Sequence, residues 1–244
     1  MRRGFHHHGG GAQESLTHPS IQRRLPRFLR RYVLHFEAAI DDALASFASS
    51  LPNHQRVLDA GAGERVHAKY FEHQRYIAID LAVGDSTWDY RKLDAVADLT
   101  SLPFRDASFA ACINIVTLEH VQEPGCALQE IARVLGPAAR LLLIVPHEWE
   151  VHQSPHDYYR YTRHGVEYLL RRAGFDEFTI EPVGGYFRLV ARRLLNGLQF
   201  FPGPWFFLAA IVLVPPALVL PWFDSLDRDR NFTLGYICTA RKRS

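Results

Sequence analysis

The sequence predicts an α/β fold, a doubly wound parallel sheet with helices on both faces, and three observations predict it. Short, nearly continuous apolar runs (RVLDA, YIAID, AVADL, AACINIV and RLLLIV) recur from Arg56 onward, as strands buried on both faces do. Segments with helical spacing alternate with the later runs, which argues for crossover units rather than hairpins. A glycine pair, Gly61 and Gly63, follows the first run, where open α/β sheets bind their ligands.

The elements follow in order. MRRGFHHHGGGAQES carries two arginines but no apolar segment behind them, so a secretory signal is not expected, and residues 1–17 read as a disordered lead-in. Over 18–51, Ile21, Leu25, Phe28, Leu29, Tyr32, Val33 and Phe36 fall on one helical face. Arg23, Arg24, Arg27, Arg30 and Arg31 crowd the same stretch, as in a basic amphipathic helix that lies on an anionic membrane or covers the domain. The main domain is expected over 52–184. Within it CALQEIARVL is helical and stops at Gly136-Pro137. Thr162 caps a helix whose apolar face is Val166, Leu169, Leu170 and Ala173, and Gly174 ends it. Two further strands, EFTIEPV and FTLGYICTA, enclose an insertion at 185–231; residues 232–244 hold the last strand and a basic tail.

Composition excludes little. The net charge of +2 gives no reason to expect nucleic acid, and 48% apolar residues are ordinary for a globular chain. Three widely spaced cysteines, two of them in strand-like runs, suit buried thiols in a reducing compartment.

Three carboxylates end three successive strands: Asp59, Asp80 and Asp98. That pattern suits a ligand rich in hydroxyl and amine donors and would repel a pyrophosphate. A dinucleotide fingerprint would also want a small residue at Val66. The ligand expected is nucleoside-like and cationic.

VLDAGAGE, YIAIDL, ADLTSLPFRDASFAACINIVTLEHV and LQEIARVLGPAARLLLIVPH resemble class I S-adenosylmethionine-dependent methyltransferases, in particular the small-molecule type 11 branch that includes quinone-biosynthesis enzymes. The resemblance covers about Arg56 to Phe175. It implies a Rossmann-like sheet of seven strands with the last two antiparallel, here with an N-terminal helix and a hydrophobic helical insertion between those two strands. It implies S-adenosylmethionine as cofactor: Gly61 and Gly63 at the methionine part, Asp80 with Leu81 at the ribose, Asp98 with Leu99 at the adenine, and Asp59 orienting the glycine loop. Arg65 stands where the family often has a third glycine, and Gly136-Pro137-Ala138-Ala139 replaces the usual Pro-Gly-Gly turn.

The acceptor side is read from PHEWEVHQSPHDYYRYTRHG, which resembles an acceptor-site lid. A hydroxyl acceptor must lose a proton, and histidine suits that task near neutral pH. The candidates are His147, His152, His156 with Asp157, and His120 of the LEHV segment; Arg160 is read as pairing with a carboxylate to pin the loop. A metal site from His147, His152, His156 and Asp157 is the alternative, and the reading adopted has none.

The uncharged run FFPGPWFFLAAIVLVPPALVLPWF, Phe200 to Phe223, is long enough to cross a bilayer. It lies between two strands that must pair in one sheet, so one crossing is excluded. Pro215-Pro216 are expected to split it into a helical hairpin that dips into one leaflet or packs on its own domain, with Arg188, Arg192, Arg193, Trp205 and Trp222 placed as interfacial anchors are. The function expected is methyl transfer to a small or lipid-linked acceptor at the cytoplasmic surface of a membrane. The alternatives are a non-catalytic cofactor-binding scaffold or sensor, and a soluble methyltransferase whose insertion is a substrate lid.

Overall fold

The computed structural model describes residues 31–85 and 87–243. The lead-in, and with it Arg23, Arg24, Arg27 and Arg30, lies outside the described residues. Helix α1 (His35–Ser49) precedes β1 (Arg56–Ala60), β2 (Arg75–Asp80), β3 (Ala95–Val96) and β4 (Phe109–Ile115). Then come α2 (Pro124–Val134), β5 (Leu135–Pro146), α3 (Arg163–Arg172) and β6 (Phe175–Val183). The chain ends with α4 (Tyr186–Gly197), α5 (Pro204–Val219) and β7 (Gly235–Lys242).

The strands form one seven-stranded sheet in the order β3-β2-β1-β4-β5-β7-β6. β1 to β5 are parallel, and β7 runs antiparallel to both β5 and β6. This is the fold the resemblance implies. Alternation along the strands divides the core between the two faces. Leu58, Ile79, Cys112, Leu141 and Leu143 pack toward α2 and α3, against Leu128, Ile131, Val166 and Leu170. Val57, Ala78, Ile113, Leu142 and Ile144 pack on the other face against Phe36, Leu44 and Phe47 of α1 and Leu189 of α4. Thr162 caps α3 by accepting the Gly165 N–H at 3.1 Å, and Gly174 takes φ +88° just beyond its end. Cys112 and Cys238 are buried free thiols, and burial pushes both upward in pKa.

Three elements differ from the sequence reading. The AVADL run supplies a strand of only two residues, because Asp98 turns the chain by accepting the Thr100 N–H and hydroxyl, each at 2.8 Å. Gly136-Pro137 do not end the helix in a loop: β5 starts at Leu135 and absorbs the segment as an irregularity, with Ala138 at φ +55°.

The third difference is the insertion. Pro215 and Pro216 lie inside a continuous α5 and do not split it. They cannot donate to the carbonyls of Ile211 and Val212, and all four residues lie on the solvent side of the helix, where no neighbouring element is disturbed. The hairpin is formed by α4 and α5 instead. Nor are the three arginines of α4 free for headgroups. Arg192 is buried, pairs with Glu37 at 3.0 Å and lies 3.9 Å over the Trp149 ring. Arg188 pairs with Asp224, and Arg193 with Glu150. They bind α4 to the domain. What the insertion leaves outward is apolar: Trp205, Phe207, Leu208, Ile211, Val212, Val219 and Trp222 are exposed. The stretch Pro204–Leu226 is helical, long and apolar enough to cross a membrane, yet only 17% of its most apolar window is buried.

Candidate active site

The carboxyl edges of β1, β2 and β4 and the turn after β3 converge on one cleft. Gly61 leaves β1 with φ +93°, and a Cβ there would lie 2.2 Å from Thr117 Cγ2. Gly63, at φ +50°, faces the Trp88 ring and donates its N–H to Asp80 Oδ2 at 2.9 Å. The other Asp80 oxygen accepts the Ala82 N–H at 2.8 Å. Arg65 occupies the left-handed conformation, φ +64°, that a third glycine would adopt freely. Its guanidinium offsets that strain by donating to the Lys92 carbonyl at 2.8 Å and pairing with Asp94. Gly61→Ala is expected to destabilise the fold by about 2–4 kcal/mol, because it combines a backbone penalty with overpacking; thermal unfolding measures it.

A cavity of about 540 Å³ opens along this edge. One end is lined by Gly61, Gly63, Asp80, Leu81, Trp88, Asp98 and Leu99, the other by Thr117, His120, Gln153, His156 and Tyr158. Asp59 does not line it. That side chain is fully buried, accepts a hydrogen bond from the Tyr76 hydroxyl and meets His67 Nδ1 at 3.1 Å. It fixes the turn that carries His67 and acts on the cleft only through it.

The loop from His147 to Tyr161 docks on the Leu118–His120 turn. Tyr158 N–H donates to the Glu119 carbonyl at 2.9 Å, Tyr161 hydroxyl to the Leu118 carbonyl at 2.9 Å, and His120 Nδ1 to the His156 carbonyl at 2.6 Å. Arg160 pins the loop as expected: it grips Asp157 through both oxygens, at 2.6 and 2.8 Å, and the Trp149 and Glu150 carbonyls. The guanidinium holds the Asp157 carboxyl down at about 2. Asp157 is therefore committed to the loop.

The histidines part company. His120 and His156 line the cavity, and His152 and His147 do not. His147 Nδ1 donates to the Tyr161 carbonyl at 2.7 Å, and its ring packs edge-on against Tyr236. The four groups His147, His152, His156 and Asp157 do not converge on one point; among the described residues the cluster with metal-ligand spacing is Glu119, His120 and His152. Glu119 is fully buried, and loss of water pushes its carboxyl up to about 8. Burial likewise lowers the His120 pKa.

Comparison with known proteins fits this geometry. The family described as "Methyltransferase domain", type 11, matches residues 58–143, which run from β1 through the glycine turn into β5. Over these residues the chain is similar to class I S-adenosylmethionine-dependent methyltransferases. A demethylmenaquinone methyltransferase of Renibacterium salmoninarum is 35% identical over 95 residues, covering 36% of this chain and 40% of the relative. The chain thus aligns with less than half of that protein's length. Two solved structures share the fold. A phosphoethanolamine N-methyltransferase of Haemonchus contortus with S-adenosylmethionine is 20% identical, with 82% of this chain and 51% of that one covered, at a TM-score of 0.53. A 1,6-didemethyltoxoflavin N1-methyltransferase of Burkholderia thailandensis with S-adenosylhomocysteine is 20% identical, with 89% and 86% covered, at 0.52.

The cleft fits the cofactor of those enzymes. Asp80 is held by two backbone donors yet keeps further lone pairs that a pair of hydroxyls could use, and among the described residues Asp98 Oδ2 has no hydrogen-bond partner and could accept from an amine. The volume suits a nucleoside-sized ligand. Sequence reasoning missed Trp88 and Thr117. Trp88 sits in an irregular segment with no periodicity to place it. Thr117 left no signal either, since its approach to Gly61 depends on a backbone conformation, φ +93°, that the sequence does not carry. Glu119 was visible beside His120, but its complete burial was not.

Proposed function

We propose that the protein transfers a methyl group from S-adenosylmethionine to a small amphipathic acceptor, lipid-linked or quinone-like, at the cytoplasmic surface of a membrane. One observation carries the reading: a single cavity joins the Gly61–Asp80–Asp98 edge to the His120–His156–Tyr158 end, in a domain whose insertion presents an unbroken apolar helix outward. In this reading Gly61 and Gly63 leave room for the methionine part, Asp80 and Leu81 hold the ribose, and Asp98 and Leu99 meet the adenine.

The bound cofactor supplies an electrophilic methyl group on a sulfonium. The chain supplies position and a proton acceptor. Holding the acceptor in line with that methyl accounts for much of the rate in such a displacement. In this reading His156, at the acceptor end with its Nδ1 3.2 Å from the Tyr158 hydroxyl, takes the proton of an acceptor hydroxyl. None of the residues 184–231 lines the cavity, which counts against the insertion as a substrate lid. Its exposed apolar face and terminal tryptophans favour a lipid surface.

Transfer of labelled methyl to a cell extract, split into lipid and aqueous fractions, tests this. Label is expected in the lipid fraction and is expected to vanish with Asp80→Ala. Label confined to the aqueous fraction would remove the lipid acceptor. Saturable cofactor binding with no transfer to any pool would favour the scaffold reading.

A further inference from the structure

Beside the cavity, Glu119, His120 and His152 bring a carboxylate and two imidazoles together, with their ligand atoms all within 4.8 Å of one another. His120 Nε2 and His152 Nε2 each lie 3.8 Å from Glu119 Oε1, too far for a hydrogen bond. The tautomers follow from the partners. His120 Nδ1 faces the His156 carbonyl at 2.6 Å, and His152 Nδ1 faces the Glu150 carbonyl at 3.1 Å. A carbonyl only accepts, so each Nδ1 carries the proton and each Nε2 presents a lone pair. Arg160 Nη2, 3.4 Å from His152 Nδ1, does not alter this, because it already donates to Asp157 and to the Glu150 carbonyl.

With Glu119 ionised, as a metal ligand must be, the cluster consists of acceptors turned toward one another without a donor. Both Glu119 oxygens and His120 Nε2 are fully buried and lack a hydrogen-bond partner among the described residues. Buried native polar groups are rarely left so. Both rings have the outer support that metal-bound histidines show, a carbonyl on each Nδ1, with Asp157 Oδ2 3.5 Å from His152 Nδ1 as well. Ligands ~2.1 Å from an ion at the tetrahedral angle lie ~3.4 Å apart. The two separations from Glu119 Oε1 exceed that value by a few tenths of an ångström, and the two imidazole nitrogens lie within 4.8 Å of each other.

The geometry points to a divalent metal site of the zinc class, with Glu119, His120 and His152 as ligands and a fourth position for a water or hydroxyl oxygen. Two imidazoles select a d-block ion over magnesium or calcium. The site adjoins the acceptor end of the cleft, because His120 also lines the cavity. It is distinct from the arrangement of His147, His152, His156 and Asp157 considered from the sequence.

The test uses the full chain with His6→Ala, His7→Ala and His8→Ala, so that the N-terminal histidines contribute nothing. After chelator treatment the protein is titrated with Zn²⁺ and, separately, with Co²⁺ as a spectroscopic probe. One equivalent should bind, with visible Co²⁺ absorption of low-coordinate nitrogen-ligated type, and zinc X-ray absorption should show two imidazoles. His152→Ala and Glu119→Gln should each weaken binding ~100-fold or more, above the ~10–100-fold that outer partners carry. Far-UV circular dichroism and cofactor binding report whether these variants fold; if one does not, the spectra of the parent chain decide. Binding below one equivalent, an oxygen-only Co²⁺ spectrum, or affinities unchanged in folded variants would overturn the site. None of these readouts depends on methyl transfer.

Discussion

Asparagine in place of Asp80 is expected to weaken S-adenosylmethionine binding by roughly 10²–10⁴-fold, with a loss of about 1–3 kcal/mol in thermal stability from the one backbone hydrogen bond it cannot keep. The two carboxylate oxygens already take one backbone N–H each, from Gly63 and Ala82. An amide cannot keep both bonds, because whichever way it turns, its NH₂ faces one of those donors. Two charge-assisted hydrogen bonds to vicinal hydroxyls, at ~1.5–3 kcal/mol each, would be lost or reversed in addition. Their sum of ~3–6 kcal/mol gives the stated range at ~1.4 kcal/mol per tenfold. Calorimetric titration measures the effect. Affinity within a few-fold of the native value would show that Asp80 does not hold the ribose. Asp98→Asn provides the internal scale: Thr100 engages only Oδ1, leaving one contact at stake, and the loss should be nearer tenfold.

The parts legible in the sequence are those where local pattern and global packing agree. Strands such as RLLLIV could be read because a strand covered on both faces must be apolar throughout. The glycine turn and the carboxylates at Asp80 and Asp98 could be read because their chemistry lies at fixed offsets from strand ends. Pairings across long separations could not be read. Arg192 lies beside a tryptophan-ended apolar run in the sequence and suggested a lipid anchor, yet Glu37, 155 residues away, claims it. Pro215-Pro216 suggested a break because the rule for proline assumes that a helix has no better alternative than to stop. A helix with its prolines on the open side meets no packing penalty there. The cluster of Glu119, His120 and His152 escaped because its third member comes from a loop whose docking depends on backbone carbonyls, which no side-chain pattern encodes.

Phe207→Asp combined with Ile211→Asp is expected to abolish flotation with lipid vesicles while leaving the fold intact. Both side chains are exposed, 69% and 71%, so the folded domain gains nothing from them. Their stability cost is therefore expected within about 0.5 kcal/mol, as for surface positions generally. In a bilayer interface each would contribute ~1.5–3 kcal/mol, so removing both lowers partitioning by roughly 10²-fold or more before the cost of immersing two carboxylates is counted. Vesicles of mixed zwitterionic and anionic lipid, with far-UV circular dichroism as the control, provide the measurement. A native protein that does not float, or a double variant that floats equally well, would remove the membrane from the proposed function. Ionic strength then separates the two contributions. The α5 face is apolar and Arg188, Arg192 and Arg193 are neutralised by acids, so attachment through the insertion should persist at high salt. Any component lost on adding salt would belong to the arginines of residues 23–31 and disappear when they are replaced by glutamine.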